Sequence, residues 1–172
     1  GNIVKNSMLD FKELVLKSPA EEEKSKETFP ERLKKYRIDM KEYGGKTTIV
    51  GKGNEINGAR RTSIQGFNNK VFGDFTVGEE DVNFPDDRKD KLNKAVENIL
   101  IMGDNHKLTK VSNAVIVGSS DKETETTVSD IVAVGHNTQV KNEGGIALGN
   151  GSTSATDKGK QGFDVAVNAV SA

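Results

Sequence analysis

Asn98-Ile-Leu-Ile-Met-Gly103, Asn113-Ala-Val-Ile-Val-Gly118, Asp130-Ile-Val-Ala-Val-Gly135 and Gly144-Gly-Ile-Ala-Leu-Gly149 are copies of one phrase. Each sets a polar residue or glycine before four residues that are almost all small or branched and apolar, then closes on glycine. This predicts a short strand and a tight turn. The closing glycines are 15, 17 and 14 residues apart, too close for a helical repeat pair but enough for one coil of a β-solenoid. Successive side chains of a strand point to opposite sides, yet both sets are apolar here. One face carries Leu100 and Met102, Val115 and Val117, Val132 and Val134, Ile146 and Leu148; the other carries Ile101, Ile116, Ala133 and Ala147. A coil has one inside, so the second apolar face predicts an oligomer, most simply a cyclic one.

Working outward, the phrase recurs in less apolar form as Thr47-Thr-Ile-Val-Gly51 and Thr62-Ser-Ile-Gln-Gly66. Five residues after these glycines come Ile56 and Val71, and seven after come Gly58 and Gly73; Leu108 and Val140 hold the first of these places after Gly103 and Gly135. A coil therefore reads as strand, glycine turn, shorter return strand, second turn. The 17-residue coil carries a bulge at 119–127 with Glu123 where an apolar residue is usual, and Glu123 is expected to be exposed. Asp164-Val-Ala-Val-Asn168 repeats the phrase with Asn in the glycine place, so the array is expected to continue past Ala172 or to pass there into another element.

Two stretches differ. Residues 1–45 are charged and poor in glycine; Ser18-Pro19, followed by Glu21, Glu22 and Glu23, predicts a helix over 19–28, and Pro30 opens a second with Leu33, Tyr36 and Arg37 on one face before Tyr43-Gly44-Gly45. This segment reads as a cap for the end of the solenoid, the alternative being a separate binding module. Residues 79–97 interrupt the register, after a shortened phrase at Asp74-Phe-Thr-Val-Gly78. Pro85-Asp86-Asp87, with Leu92, Ala95, Val96 and Ile99 at helical spacing, predicts a loop and an amphipathic helix outside the solenoid.

Composition agrees with a slender array: 33% of residues are hydrophobic and 5% aromatic, with 18 Gly and no Trp. Such a chain lines thin coils more readily than one large core. A net charge of −1 without a basic stripe argues against nucleic acid, and the absence of Cys excludes disulfides and thiol chemistry. Neither a signal peptide nor an apolar run of membrane-spanning length is read in this stretch, so the protein is expected either to be soluble or to carry such segments outside these residues. The acidic group Glu79-Glu80-Asp81 with Asp86-Asp87 lacks the alternating ligands of a calcium loop and reads as a solvated face, and Lys52-Gly53 to Gly58 lacks the strand-to-helix step of a phosphate loop. No metal, cofactor or catalytic residue is expected. Phe67, Phe72, Phe75 and Phe84 are large for a roll of Ala and Val, and either pack under the insertion or anchor a partner.

The phrases at 113–118 and 144–152, with the return pattern Gly66, Val71, Gly73, resemble the head repeats of YadA-like trimeric autotransporter adhesins over about residues 46–78 and 98–168. That family's phrase is close to Asn-Ser-Val-Ala-Ile-Gly, with a Ser three residues on, matched by Ser152, and a glycine seven on, matched by Gly58 and Gly73. Lys110, Asn142 and Thr156 stand where later coils would have that glycine, and the 79–97 insertion has no counterpart in the simplest members. The resemblance implies an all-β, left-handed parallel β-roll assembled as a homotrimer, here with a partly helical N-terminal cap at 1–45 and a helical insertion in the 46–172 head. It further implies display on the outer membrane of a Gram-negative bacterium, an anchor outside this segment, and binding of a CEACAM-type host receptor or a matrix protein. For a globular receptor, partner contacts are expected on the insertion, at Val82, Phe84, Asp86 and Arg88, the alternative being that the insertion only covers the edge of the roll. The alternative is a hexapeptide-repeat acyltransferase, also a trimeric left-handed β-solenoid with a His base. Its 18-residue coils do not match the spacing, and His106 and His136 lie three and one residues after their glycines, which reads as solvated turn histidines rather than a repeated active site.

Overall fold

The computed structural model describes residues 1–8, 11–74, 95–157, 162–164 and 169–171. After β1 (Ile3–Lys5) come three helices, α1 (Phe11–Val15), α2 (Pro19–Lys24) and α3 (Phe29–Tyr43). Long and short strands then alternate: β2 (Thr48–Lys52), β3 (Glu55–Asn57), β4 (Ala59–Phe67), β5 (Lys70–Phe72), β6 (Val96–Met102), β7 (His106–Thr109), β8 (Ala114–Val117), β9 (Thr124–Thr126), β10 (Ile131–Val134), β11 (Gln139–Val140), β12 (Ile146–Leu148) and β13 (Thr153–Ser154). The phrase strands make a six-stranded parallel sheet, β12-β10-β8-β6-β4-β2, and the return strands a five-stranded parallel sheet, β1-β3-β5-β7-β9, with β11-β13 beyond it. Each chain turn adds one strand to each sheet, which is a β-roll.

The register stacks equivalent residues. Ile64, Ile101, Ile116, Ala133 and Ala147 form one inward column, and together with Ile56, Val71, Leu108 and Val140 of the return strands they make a single core cluster. Each Ile or Val so buried contributes about 1.5–3 kcal/mol. The closing glycines stack as well. At Gly66 (φ 154°) a Cβ would lie 1.9 Å from the Gly103 carbonyl oxygen, and at Gly118 (φ 125°) 2.2 Å from that of Gly135. Only glycine fits both the backbone and the approach of the next coil.

Five residues before each closing glycine stands Lys46, Arg61, Asn98, Asn113, Asp130 or Gly144, all at positive φ between 45° and 68°. This left-handed kink explains why the phrase opens on Asn, Asp or Gly. It also explains a sequence expectation that fails. Val96 and Ile99 belong to β6, paired with β4, and not to a helix. The kink at Asn98 turns two residues three apart to the same inside, so a bent strand acquires helical spacing. Asn98 donates to Asn113 Oδ1 at 3.0 Å and Asn113 to Asp130 Oδ1 at 2.8 Å, a polar ladder along the outer edge.

The helices at 19–24 and 29–43 lie close to the expected places, each opened by a box: Glu21 accepts from the Ser18 backbone and hydroxyl, and Glu31 from those of Thr28. The first ends at Lys24 rather than residue 28, because Thr28 must stay extended to cap α3. Arg32, 4% exposed, holds the helical segment together, donating to the carbonyls of Val15 and Glu27, to Ser25 Oγ and to Glu22. Neither α1 nor β1 is evident in the sequence reading. β1 pairs with β3, so residues 3–5 already belong to the roll, and the chain leaves it after Asn6, returning at Lys46. At Gly73, the equivalent corner, the next coil resumes only at Ala95, and β4 and β5 pair directly with β6 and β7. At the other end, Gly162–Asp164 pairs antiparallel with Ala169–Ser171, so the phrase opening at Asp164 does not add another parallel coil.

Candidate interaction surface

Outward residues of the six-stranded sheet form two columns. One runs Thr48, Ser63, Leu100, Val115, Val132, Ile146; the other runs Val50, Gln65, Met102, Val117, Val134, Leu148. Neither contains a charge, and from β6 onward every member is apolar. In a single chain they face solvent, with Ile146 and Leu148 61% and 62% exposed. A continuous apolar sheet face of this kind is a candidate interaction surface, since water covers it at a cost that a second surface would remove.

The outward side of the five-stranded sheet is built differently. Glu55, Lys70, Lys107 and Glu125 stand in register there. Lys70 Nζ meets Glu123 Oε2 at 2.6 Å, and Lys107 Nζ meets Glu125 Oε1 at 3.1 Å. Their hydrogen bond raises the Lys70 pKa and lowers that of Glu123. Glu123 is exposed, as the bulge implied, and the extra residues of the 17-residue coil carry it across the sheet to Lys70; Thr126 takes the inward place instead.

Three residues after Gly51, Gly66 and Gly103 the roll buries a polar side chain that ties coils together. Asn54 Nδ2 donates to the Gly66 carbonyl at 2.9 Å, Asn69 Nδ2 to Gly103 at 2.8 Å, and His106 Nε2 to Gly118 at 2.6 Å. In turn, Asn54 Oδ1 accepts from the Asn69 backbone, and Asn69 Oδ1 from that of His106. His106 is therefore not a solvated turn residue: it is 2% exposed, and burial lowers its pKa. Its position in the glycine frame matches Asn54 and Asn69, which is the signal that could have placed it. His136 is half exposed and lies 3.2 Å from Asp121, whose pKa is lowered first by the Asn137 amide and then by His136.

Val82, Phe84, Asp86 and Arg88, the expected partner contacts, lie outside the described residues, as do Phe75, Asp87 and the 79–81 acidic group. Phe67 is exposed at a coil corner and Phe72 half-buried on the outward side of the five-stranded sheet. Among the described residues no His, Asp and Glu group is arranged to hold a metal ion, and no helix is long and apolar enough to cross a membrane. Comparison with protein-family models, with curated proteins and with solved structures gives no match.

Proposed function

We propose that this chain is the head of a YadA-like trimeric autotransporter adhesin, which attaches a Gram-negative bacterium to a host receptor of the CEACAM type or to an extracellular-matrix protein. In this reading the roll is left-handed, three copies stand side by side about a threefold axis, and the whole is held at the outer membrane by an anchor beyond this segment. The observation that carries the reading is the uncharged outward face of the six-stranded sheet, apolar through four successive coils, on a roll whose phrase resembles that family's repeat. Apolar contact across that face gives three copies one shared core, and three equal binding sites then act by avidity on a fibrous or clustered target. The function is binding rather than catalysis.

The test has two parts. Light scattering at micromolar concentration is expected to give three times the chain mass, and a monomer would sink the trimer. Purified protein is then screened against collagen, laminin, fibronectin and epithelial receptors. With the binder in hand, replacing Val82 and Phe84 by Ser is expected to weaken it at least tenfold, about 1.4 kcal/mol, at an unchanged melting temperature. Undiminished binding would remove the insertion as the contact site.

A further inference from the structure

The first six residues repeat, in detail, the second half of a coil. Gly1-Asn2-Ile3-Val4 matches Gly53-Asn54-Glu55-Ile56 in sequence, and the register pairs Val4 with Ile56. Asn2 behaves as the next member of the buried ladder. Its Nδ2 donates to the Gly51 carbonyl at 3.0 Å, as Asn54 donates to that of Gly66, and its Oδ1 accepts from the Asn54 backbone at 3.1 Å, as Asn54 Oδ1 accepts from Asn69. Asn6, at φ 52°, takes the corner that Gly58 takes in the following coil at φ 75°.

Every other return strand is preceded by a phrase strand in the opposite sheet. The place of that strand for β1 is alongside β2, which is the edge of the six-stranded sheet. Three features there fit an additional rung. Ile49, in the same column as Ile64, Ile101 and Ile116, is only half-buried, whereas those three are at most 2% exposed. Val4, in the column of the fully buried Ile56 and Val71, is 42% exposed. Between them, with Met8 and Met40, lies a hollow of about 680 Å³.

We infer that the β2 edge is a docking site for one more parallel strand of the repeat phrase, supplied by chain immediately N-terminal to Gly1 and completing the coil to which residues 1–6 belong. The occupant carries a left-handed residue, alternating inward and outward apolar residues and a closing glycine, so that its inward side chain covers Ile49 and Val4. The Gly51 carbonyl would approach its closing glycine as the Gly66 carbonyl approaches Gly51. The helices at 11–43 are then an excursion from inside the roll rather than its first element. The inference concerns the roll alone and stands whether or not the adhesin reading does.

The test extends the chain at Gly1 by a copy of residues 46–52, which reproduces the natural 46–54 sequence across the junction. Hydrogen exchange of the β2 amides and thermal melting are compared with those of the unextended chain. The expected result is exchange over Thr48–Lys52 slowed by about tenfold or more and a higher melting temperature. A second extension, with Asp in the place copied from Ile49, is expected to give neither. Unchanged exchange with the first extension, or equal protection with the second, overturns the inference. Protection at β12 instead of β2 overturns it as well, since it assigns the strand to the opposite edge.

Discussion

The two sheets of the roll share one interior and differ in what they turn outward. The return-strand sheet presents Glu55, Lys70, Lys107 and Glu125, with Lys70 paired to Glu123 and Lys107 to Glu125, while the phrase-strand sheet presents Leu100, Val115, Val132 and Ile146 without a charge. Both satisfy their backbones by the same ladder, so the difference is not needed to make the strands. It lies in the partner each face is suited to. Water and mobile ions suffice for the first, where exposed ion pairs contribute little. The second calls for another apolar surface.

The contrast is most severely tested by placing a carboxylate on each side. Val115→Asp or Val132→Asp is expected to dissociate the oligomer or to melt the roll, because a buried unpaired charge costs several kcal/mol, on the order of 3–5, whereas Thr153→Asp, at an exposed place on the last return strand, β13, is expected to leave mass and melting temperature unchanged. Light scattering and calorimetry on the three variants decide it, and equal behaviour would erase the distinction between the faces. The interior common to both sheets is addressed by Gly118→Ala. A Cβ there lies 2.2 Å from the Gly135 carbonyl oxygen at a φ of 125°, so the loss is expected to be at least about 2–3 kcal/mol, read by denaturant unfolding.

A smaller effect sharpens the account of the polar ladder. Burial lowers the His106 pKa in the folded chain below its unfolded value near 6.5, so the unfolded state binds the proton more readily. Stability from the neutral ring is complete above that value and is lost progressively as pH falls below it. His106→Asn, which restores the residue found at Asn54 and Asn69, is expected to melt like the parent at pH 7.5 and to be less destabilised at pH 5. A parallel decline of the two would show that the ring does not titrate with unfolding. Smallest of all, Lys70→Ala with Glu123→Ala is expected to leave both mass and melting temperature within error.

Much of this was legible before any coordinates. The closing glycines announce the coil because glycine alone tolerates their backbone and their crowding, and the doubled apolarity of the phrase reappears as one buried and one outward apolar column set. What misled was local. Val96 and Ile99 carry helical spacing because Asn98 kinks a strand between them, and periodicity alone does not separate those cases. β1 was hidden by its charged neighbours although Gly1-Asn2 repeats Gly53-Asn54. Arg32 looks like one surface cation among many, and only the folded helices turn it inward. The outward apolar face of the candidate site was read directly, whereas His106 required knowing that the residues three past Gly51, Gly66 and Gly103 bond to the next coil's carbonyl.

The corner at which the chain twice leaves the roll bears on how such a molecule can change. Departures after Asn6 and Gly73 follow β1 and β5, two rungs apart, so they spring from points roughly 10 Å from each other at the usual strand spacing. Neither departure shifts the register of the coils that follow: Val4 aligns with Ile56 across the first and Ile64 with Ile101 across the second. Length at this corner is thus decoupled from the frame. Evolution, or an engineer grafting a foreign loop, can lengthen, replace or delete sequence there without renegotiating a single rung, and two such grafts at neighbouring exits would sit close enough to form one composite epitope.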